Sequence, residues 1–190
     1  MRLYPKEKER WYAKCPAFSF SKLSGMDAYL SPEMKSTGEA IGYDDKFHRA
    51  VYKAMVASGL KLANYGTVVA TLADEDKEEA LPLIRRFYNM GFNIEATTGT
   101  YNFLKENGMR VRHRGKLSEN STEILDTLRS GYVKYVIDTR AILSGIHYED
   151  GVAIRRTAVE NGITLLTSLD TVAILLDVLE EQTITCEVYW

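Results

Sequence analysis

A chain of 190 residues, 45% of them hydrophobic, has room for one domain or one domain and a fragment, with apolar residues enough for an ordinary core, which excludes global disorder. The formal net charge of −2 hides an asymmetry: residues 1–64 carry 11 Lys/Arg against 7 Asp/Glu, and residues 65–190 carry 13 against 19. With no apolar run near the roughly 18 residues of a membrane span and no secretory pattern at the start, the expectation is a soluble cytoplasmic protein with no membrane partner.

The first 64 residues are ragged. Trp11–Phe20 is apolar and aromatic but broken by Pro16, which suits an edge strand. Residues 31–39 are turn-rich, and Tyr43–Ser58 has the helical spacing Phe47, Ala50, Val51, Ala54. One strand and one helix cannot close a core, so residues 1–64 read as an appendage, either an arm packed onto the second domain or the tail of something larger, joined to the rest through Gly59–Gly66.

Residues 65–190 alternate strand and helix. Strands are expected at Thr67–Leu72, Phe92–Ala96, Met109–Arg112, Tyr132–Asp138 and Ile163–Leu166. Between them fall helices at Asp74–Met90, with Ala80, Leu83, Ile84 and Phe87 on one face, at Thr100–Glu106 and at Thr122–Arg129. An irregular stretch follows, then helices from about Asp150 to Glu160 and from Ser168 to Leu179. This alternation predicts an α/β fold: a Rossmann-like, three-layer domain on a mainly parallel five-stranded sheet with helices on both faces. Ligands of such sheets bind beyond the carboxyl ends of the strands, where Thr71, Thr97 and Asp138 fall.

Two motifs meet at that edge. Ala96-Thr-Thr-Gly-Thr100 is a small-residue turn opening a helix, where free backbone N–H groups and hydroxyls suit an anion. Arg110, Arg112, Arg114 and Lys116 alternate, so an extended segment would aim all four to one side. Each has a plainer reading: threonine is a common N-cap, and cations guard edge strands. Together, some ten residues apart, they read as a phosphate site. A local basic patch in an acidic domain suits a small anion rather than a nucleic acid. Cys15 and Cys186 read as free thiols in a reducing compartment. His48, His113 and His147 have no metal-ligand spacing, so no metal site is expected. Asp126 and Asp150 read as solvated helix residues, and Arg155 and Arg156 as helix residues away from the site.

Phe18-Ser-Phe-Ser-Lys-Leu23 and Pro32-Glu-Met-Lys-Ser-Thr-Gly-Glu39 resemble the end of the second ATP-grasp half of the carbamoyl-phosphate synthase large subunit. The order that follows, Ala73-Asp-Glu-Asp-Lys-Glu78, the Thr-Gly-Thr turn and Lys116, resembles that subunit's C-terminal allosteric domain, of the methylglyoxal-synthase-like type. The resemblance implies residues 1–64 as a carbamoyl-phosphate-synthetic remnant and linker, and 65–190 as the allosteric domain. It implies a nucleotide monophosphate effector, UMP or IMP, with its phosphate on Lys77, Thr97, Thr98, Thr100 and Lys116 and its base and ribose near Asp138 and Thr139. It further implies, as partners, the rest of the large subunit and a glutamine amidotransferase small subunit. The intact synthase would use ATP, Mg and K to make carbamoyl phosphate for pyrimidine and arginine biosynthesis, with no cofactor in this segment. Leu165 stands where ornithine-responsive members have a tyrosine, which argues against ornithine control. Methylglyoxal synthases need a Gly-Gly-Asp stretch; Ser118-Glu-Asn-Ser-Thr-Glu123 lacks it, so no catalytic residue is expected. A small stand-alone enzyme of the same fold, acting on a phosphorylated metabolite, is the alternative.

Overall fold

The computed structural model describes residues 9–18, 28, 36–139 and 145–184. The Phe18–Leu23 motif beyond Phe18, the segment Pro32–Lys35, Cys186 and the side chain of His147 lie outside the described residues. The described chain divides into two compact units, one holding 9–18 and 36–60, the other 61–139 and 145–184.

In the first unit, β1 (Trp11–Ala17) pairs antiparallel with β2 (Gly38–Asp44), and α1 (Phe47–Ala57) packs on the pair. The strand β2 corrects the sequence reading, which placed a turn region and the start of a helix there. Gly38 and Gly42 weaken the β signal, yet Gly42 is what lets α1 settle on the strand: a Cβ there would lie 2.1 Å from the Ala50 carbonyl oxygen. Cys15 is a free thiol.

The second unit is built on a five-stranded, wholly parallel sheet in the order β5-β4-β3-β6-β7. Its strands are β3 (Thr67–Thr71), β4 (Asn93–Thr97), β5 (Val111–Arg114), β6 (Val133–Asp138) and β7 (Thr164–Leu166). The helices are α2 (Lys77–Asn89), α3 (Thr98–Glu106), α4 (Glu123–Arg129), α5 (Gly145–Glu160) and α6 (Leu169–Ile184). None of the described helices is long and apolar enough to cross a membrane.

Two departures from the sequence reading bear on the site. β5 starts at Val111 rather than Met109, leaving Arg110 before it and Lys116 beyond it, so the four alternating cations do not form one comb. α5 begins at Gly145, shortening the irregular stretch.

Side chains alternate across the sheet. Val69 and Val136 face one layer, where Ile124, Leu125 and Leu128 of α4 and Ile154 and Ala158 of α5 complete a buried cluster. The opposite face presents Tyr135, whose ring meets Phe87 of α2 at 5.6 Å and Phe92 at 5.9 Å. Arg86 of α2 ties this layer to α6 through Asp177 (2.6 Å) and Glu180 (2.8 Å). Helices thus pack on both faces of the middle of the sheet.

The Tyr135 hydroxyl donates to the Ala63 carbonyl and accepts from the Ala63 N–H, both at 2.7 Å. Burial pushes this phenol up to about 12, against the opposing pull of the Ala63 hydrogen bond. An unfolded tyrosine titrates near 10, so the folded chain holds this proton where the unfolded one releases it. Its stabilising contribution is complete below about pH 10 and is lost as pH rises towards 12. Alkaline unfolding followed by circular dichroism should therefore show a decline over that window that is reduced in Tyr135→Phe; an unchanged alkaline limb in the variant would sink this assignment.

Candidate functional site

A parallel sheet brings the carboxyl ends of all its strands to one edge, and here that edge gathers the threonines. β3 ends at Thr71, β4 runs directly into α3 through Thr97-Thr98-Gly99-Thr100, and β6 ends at Asp138-Thr139. Hydrogen bonds lock these ends to one another. The Leu72 N–H donates to Thr100 Oγ1 and the Ala73 N–H to Thr139 Oγ1, each at 2.9 Å, while the Thr139 N–H donates to the Thr71 carbonyl at 3.1 Å. Thr97 Oγ1 donates to Thr71 Oγ1 at 3.2 Å.

What the threonines do not do is informative. Thr97 is the N-cap of α3, yet its side chain caps nothing. The first N–H groups of any α-helix lack an intrahelical acceptor, and here the hydroxyls that could have served them are directed to β3 instead. The plain N-cap reading of the Thr-Gly-Thr turn is therefore set aside. Thr100 and Thr139 each accept a backbone N–H, and a hydroxyl that accepts still has its own proton to donate.

Lys77 completes this part. It begins α2, with its side chain only 15% exposed, and pairs with the exposed Asp74 at 2.6 Å. Its Nζ lies 3.4 Å from where a Cβ on Gly99 would stand, so the ammonium is poised beside the exposed α3 turn. A lysine at a helix N-terminus is opposed by the helix dipole; beside a second helix N-terminus, it concentrates positive potential on one spot.

Lys116 lies past the end of β5 and opens a short 3-10 turn, Leu117–Glu119. That loop is tightly built. Glu123 accepts the Gly115 N–H and Glu119 the Lys116 N–H, both at 3.1 Å. Asp150 of α5 accepts the Ser118 N–H (3.1 Å) and hydroxyl (2.5 Å). Asp150 is 4% exposed, which corrects its reading as a solvated helix acid.

Thr98 meets a histidine. Its hydroxyl lies 2.7 Å from His113 Nε2. Glu119 is held below the ordinary carboxylate range by a hydrogen bond from Thr98 first, then by the Lys116 N–H and the charges of Lys116 and His113, against the effect of burial. One hydroxyl donates once, so Thr98 gives its proton to Glu119 and accepts from His113. It is left with its backbone N–H to offer an anion, and the hydroxyl is engaged elsewhere.

Asp138 meets an arginine. Its carboxylate is 2.6 Å from Arg155 Nη1, with the two residues 3% and 2% exposed. The guanidinium neutralises the acid at the end of β6, so Asp138 does not repel a phosphate nearby. Arg155, placed by sequence among the bland helix residues, is instead a buried part of this edge. Gly151, one turn earlier, makes room for it: a Cβ there would stand 2.8 Å from Nη1.

Sequence reasoning also missed Glu95. This carboxylate, 2% exposed on β4, accepts from Arg114 Nε at 2.6 Å and Arg112 Nη1 at 3.4 Å. The pairing holds Arg114 well above its ordinary value. Two of the four alternating cations therefore serve a buried acid. The signal was present in Ile94-Glu95-Ala96, a lone carboxylate in an apolar strand next to alternating arginines. Among the described residues no group of three or more His, Cys, Asp or Glu is placed to hold a metal ion.

The strand order and the helices on the sheet define an α/β domain of the Rossmann type. Residues 79–167 match the model of the MGS-like domain family.

Proposed function

We propose that the second unit binds a nucleotide monophosphate at its carboxyl edge and acts as the regulatory end of a carbamoyl-phosphate synthase large subunit. The observation that carries the reading is the uncapped N-terminus of α3, with Lys77 Nζ beside Gly99 and the Thr100 and Thr139 hydroxyls fixed around it. In this reading the phosphate takes the N–H groups of residues 98–100, the Thr100 hydroxyl and the ammonium groups of Lys77 and Lys116. Thr139 offers its hydroxyl to ribose or base, and the neutralised Asp138 fixes the wall behind it. The rest of the synthase, its amidotransferase subunit and its ATP, Mg and K belong to the same proposal.

The test is calorimetric titration of UMP and IMP into wild type, Lys116→Ala, Thr100→Val and Arg156→Ala. Charge-assisted hydrogen bonds contribute on the order of 1.5–3 kcal/mol each. Lys116→Ala should thus weaken binding about tenfold or more, while Arg156→Ala, exposed and paired with Glu160, should do little. Failure of both nucleotides to bind the folded wild type would sink the effector reading; unchanged binding in Lys116→Ala would leave that lysine outside the site.

The enzyme reading has one observation in its favour, the Glu119–Thr98–His113 group beside the anion turn. A carboxylate held low by hydrogen bonds is a weak general base, which favours the regulatory reading. Methylglyoxal formation from dihydroxyacetone phosphate, lost in Glu119→Gln, would reverse that judgement.

A further inference from the structure

The opposite edge of the same sheet has its own concavity. A cleft of about 1080 Å³ opens at the amino ends of β3, β4, β5 and β6. Tyr65, Tyr88 and Tyr132 line it, 72%, 38% and 40% exposed, and Arg110, Arg112 and Lys134 supply cations. The buried Glu95 is part of its lining. Glu95 is paired with Arg112 and Arg114, the lining adds Arg110 and Lys134, and these positive charges stand in a region, residues 65–190, where acids outnumber bases 19 to 13. The Tyr132 hydroxyl is fixed at 3.4 Å from both Glu95 oxygens and 3.3 Å from Arg114 Nη2, which holds its ring in place.

Edge protection accounts for part of this. β5 is the end strand of the sheet, and cations on it discourage strand pairing. That argument does not reach Lys134 on β6, a strand flanked by β3 and β7, or Tyr132 just before it. An exposed tyrosine and a half-buried lysine lining the cleft at the start of an internal strand need another reason.

We propose that this cleft is a second ligand site, for a small aromatic polyanion of the nucleoside di- or triphosphate class. The volume is at the upper end of small-molecule sites. Guanidinium forks and an ammonium match two or three negative charges, and phenol rings at the mouth offer a face on which a base can stack. This site lies at the other end of the strands from the threonine turn and does not depend on what that turn binds.

The test uses ADP and inorganic pyrophosphate, without divalent metal, titrated calorimetrically into the whole chain. The proteins are wild type, Lys134→Ala, Arg112→Ala and Lys116→Ala, each checked for fold by circular dichroism. Lys134→Ala is the safer probe, because among the described residues the ammonium's hydrogen bond is to the Gly131 carbonyl, at 3.4 Å. The expected result is saturable ADP binding, weakened about fivefold or more in Lys134→Ala and in Arg112→Ala. Lys116→Ala should leave it unchanged, and pyrophosphate should bind about tenfold more weakly because it cannot stack. Absence of saturable ADP binding to folded wild type would overturn the proposal. So would binding that persists in both cleft variants, or that disappears in Lys116→Ala. Pyrophosphate binding as tightly as ADP would remove the aromatic part of the ligand and overturn the nucleotide class.

Discussion

Arg155→Ala is expected to destabilise the second unit by about 3–5 kcal/mol, the range for deleting one partner of a buried ion pair. Arg155 and Asp138 are 2% and 3% exposed and 2.6 Å apart, so water cannot replace the lost guanidinium without opening the layer between β6 and α5. Burying both charges is itself costly, which makes the converse variant informative. Asp138→Leu combined with Arg155→Met removes both charges while keeping apolar bulk, and it should recover most of the loss or exceed wild type. Urea denaturation of the three proteins measures this. A loss below about 1 kcal/mol in Arg155→Ala would mean that the pair is effectively solvated and that the wall it forms is unimportant.

That pair also shows where sequence reading stops. Arg155 and Arg156 are neighbours of the same type, and nothing in the sequence distinguishes them. On a helix, successive residues point about 100° apart, so Arg155 enters the layer against β6 while Arg156 pairs with Glu160 on the surface at 2.8 Å. Legible features were those that repeat. Ala80, Ile84 and Phe87 recur at helical spacing and are all fully buried in α2, and the largely apolar run Val133–Ile137 is the internal strand β6. The β–α alternation gave the parallel sheet, and with it the edge at which a ligand would sit. What escaped were features fixed by contacts distant in sequence. Gly42 became strand because α1 needed to approach it, Glu95 was buried because β5 brought arginines to it, and Asp150 was buried because Ser118 came to meet it, 32 residues away. The threonine turn was visible as a motif, but the directions of its hydroxyls were not. Those directions separate a capped helix from an open one.

Gly99→Ala should separate binding from stability most sharply. Gly99 is exposed in the first turn of α3, and its added methyl would stand 3.4 Å from Lys77 Nζ, an ordinary contact with the end of a flexible side chain. The fold therefore accommodates alanine, and replacing glycine in a helix stabilises by about 0.5–1 kcal/mol. The same methyl occupies the space between the α3 N–H groups and the Lys77 ammonium, where the proposed phosphate would lie. A phosphate oxygen cannot share that volume, so nucleotide monophosphate affinity should fall by about tenfold to a hundredfold, comparable to losing one or two charge-assisted hydrogen bonds. Thermal unfolding and calorimetric titration on the same sample read the two effects independently, and they should move in opposite directions. A variant that unfolds earlier and binds more weakly would point to a distorted turn. One that is more stable and still binds UMP or IMP like wild type would place the phosphate elsewhere and remove the α3 turn from the site.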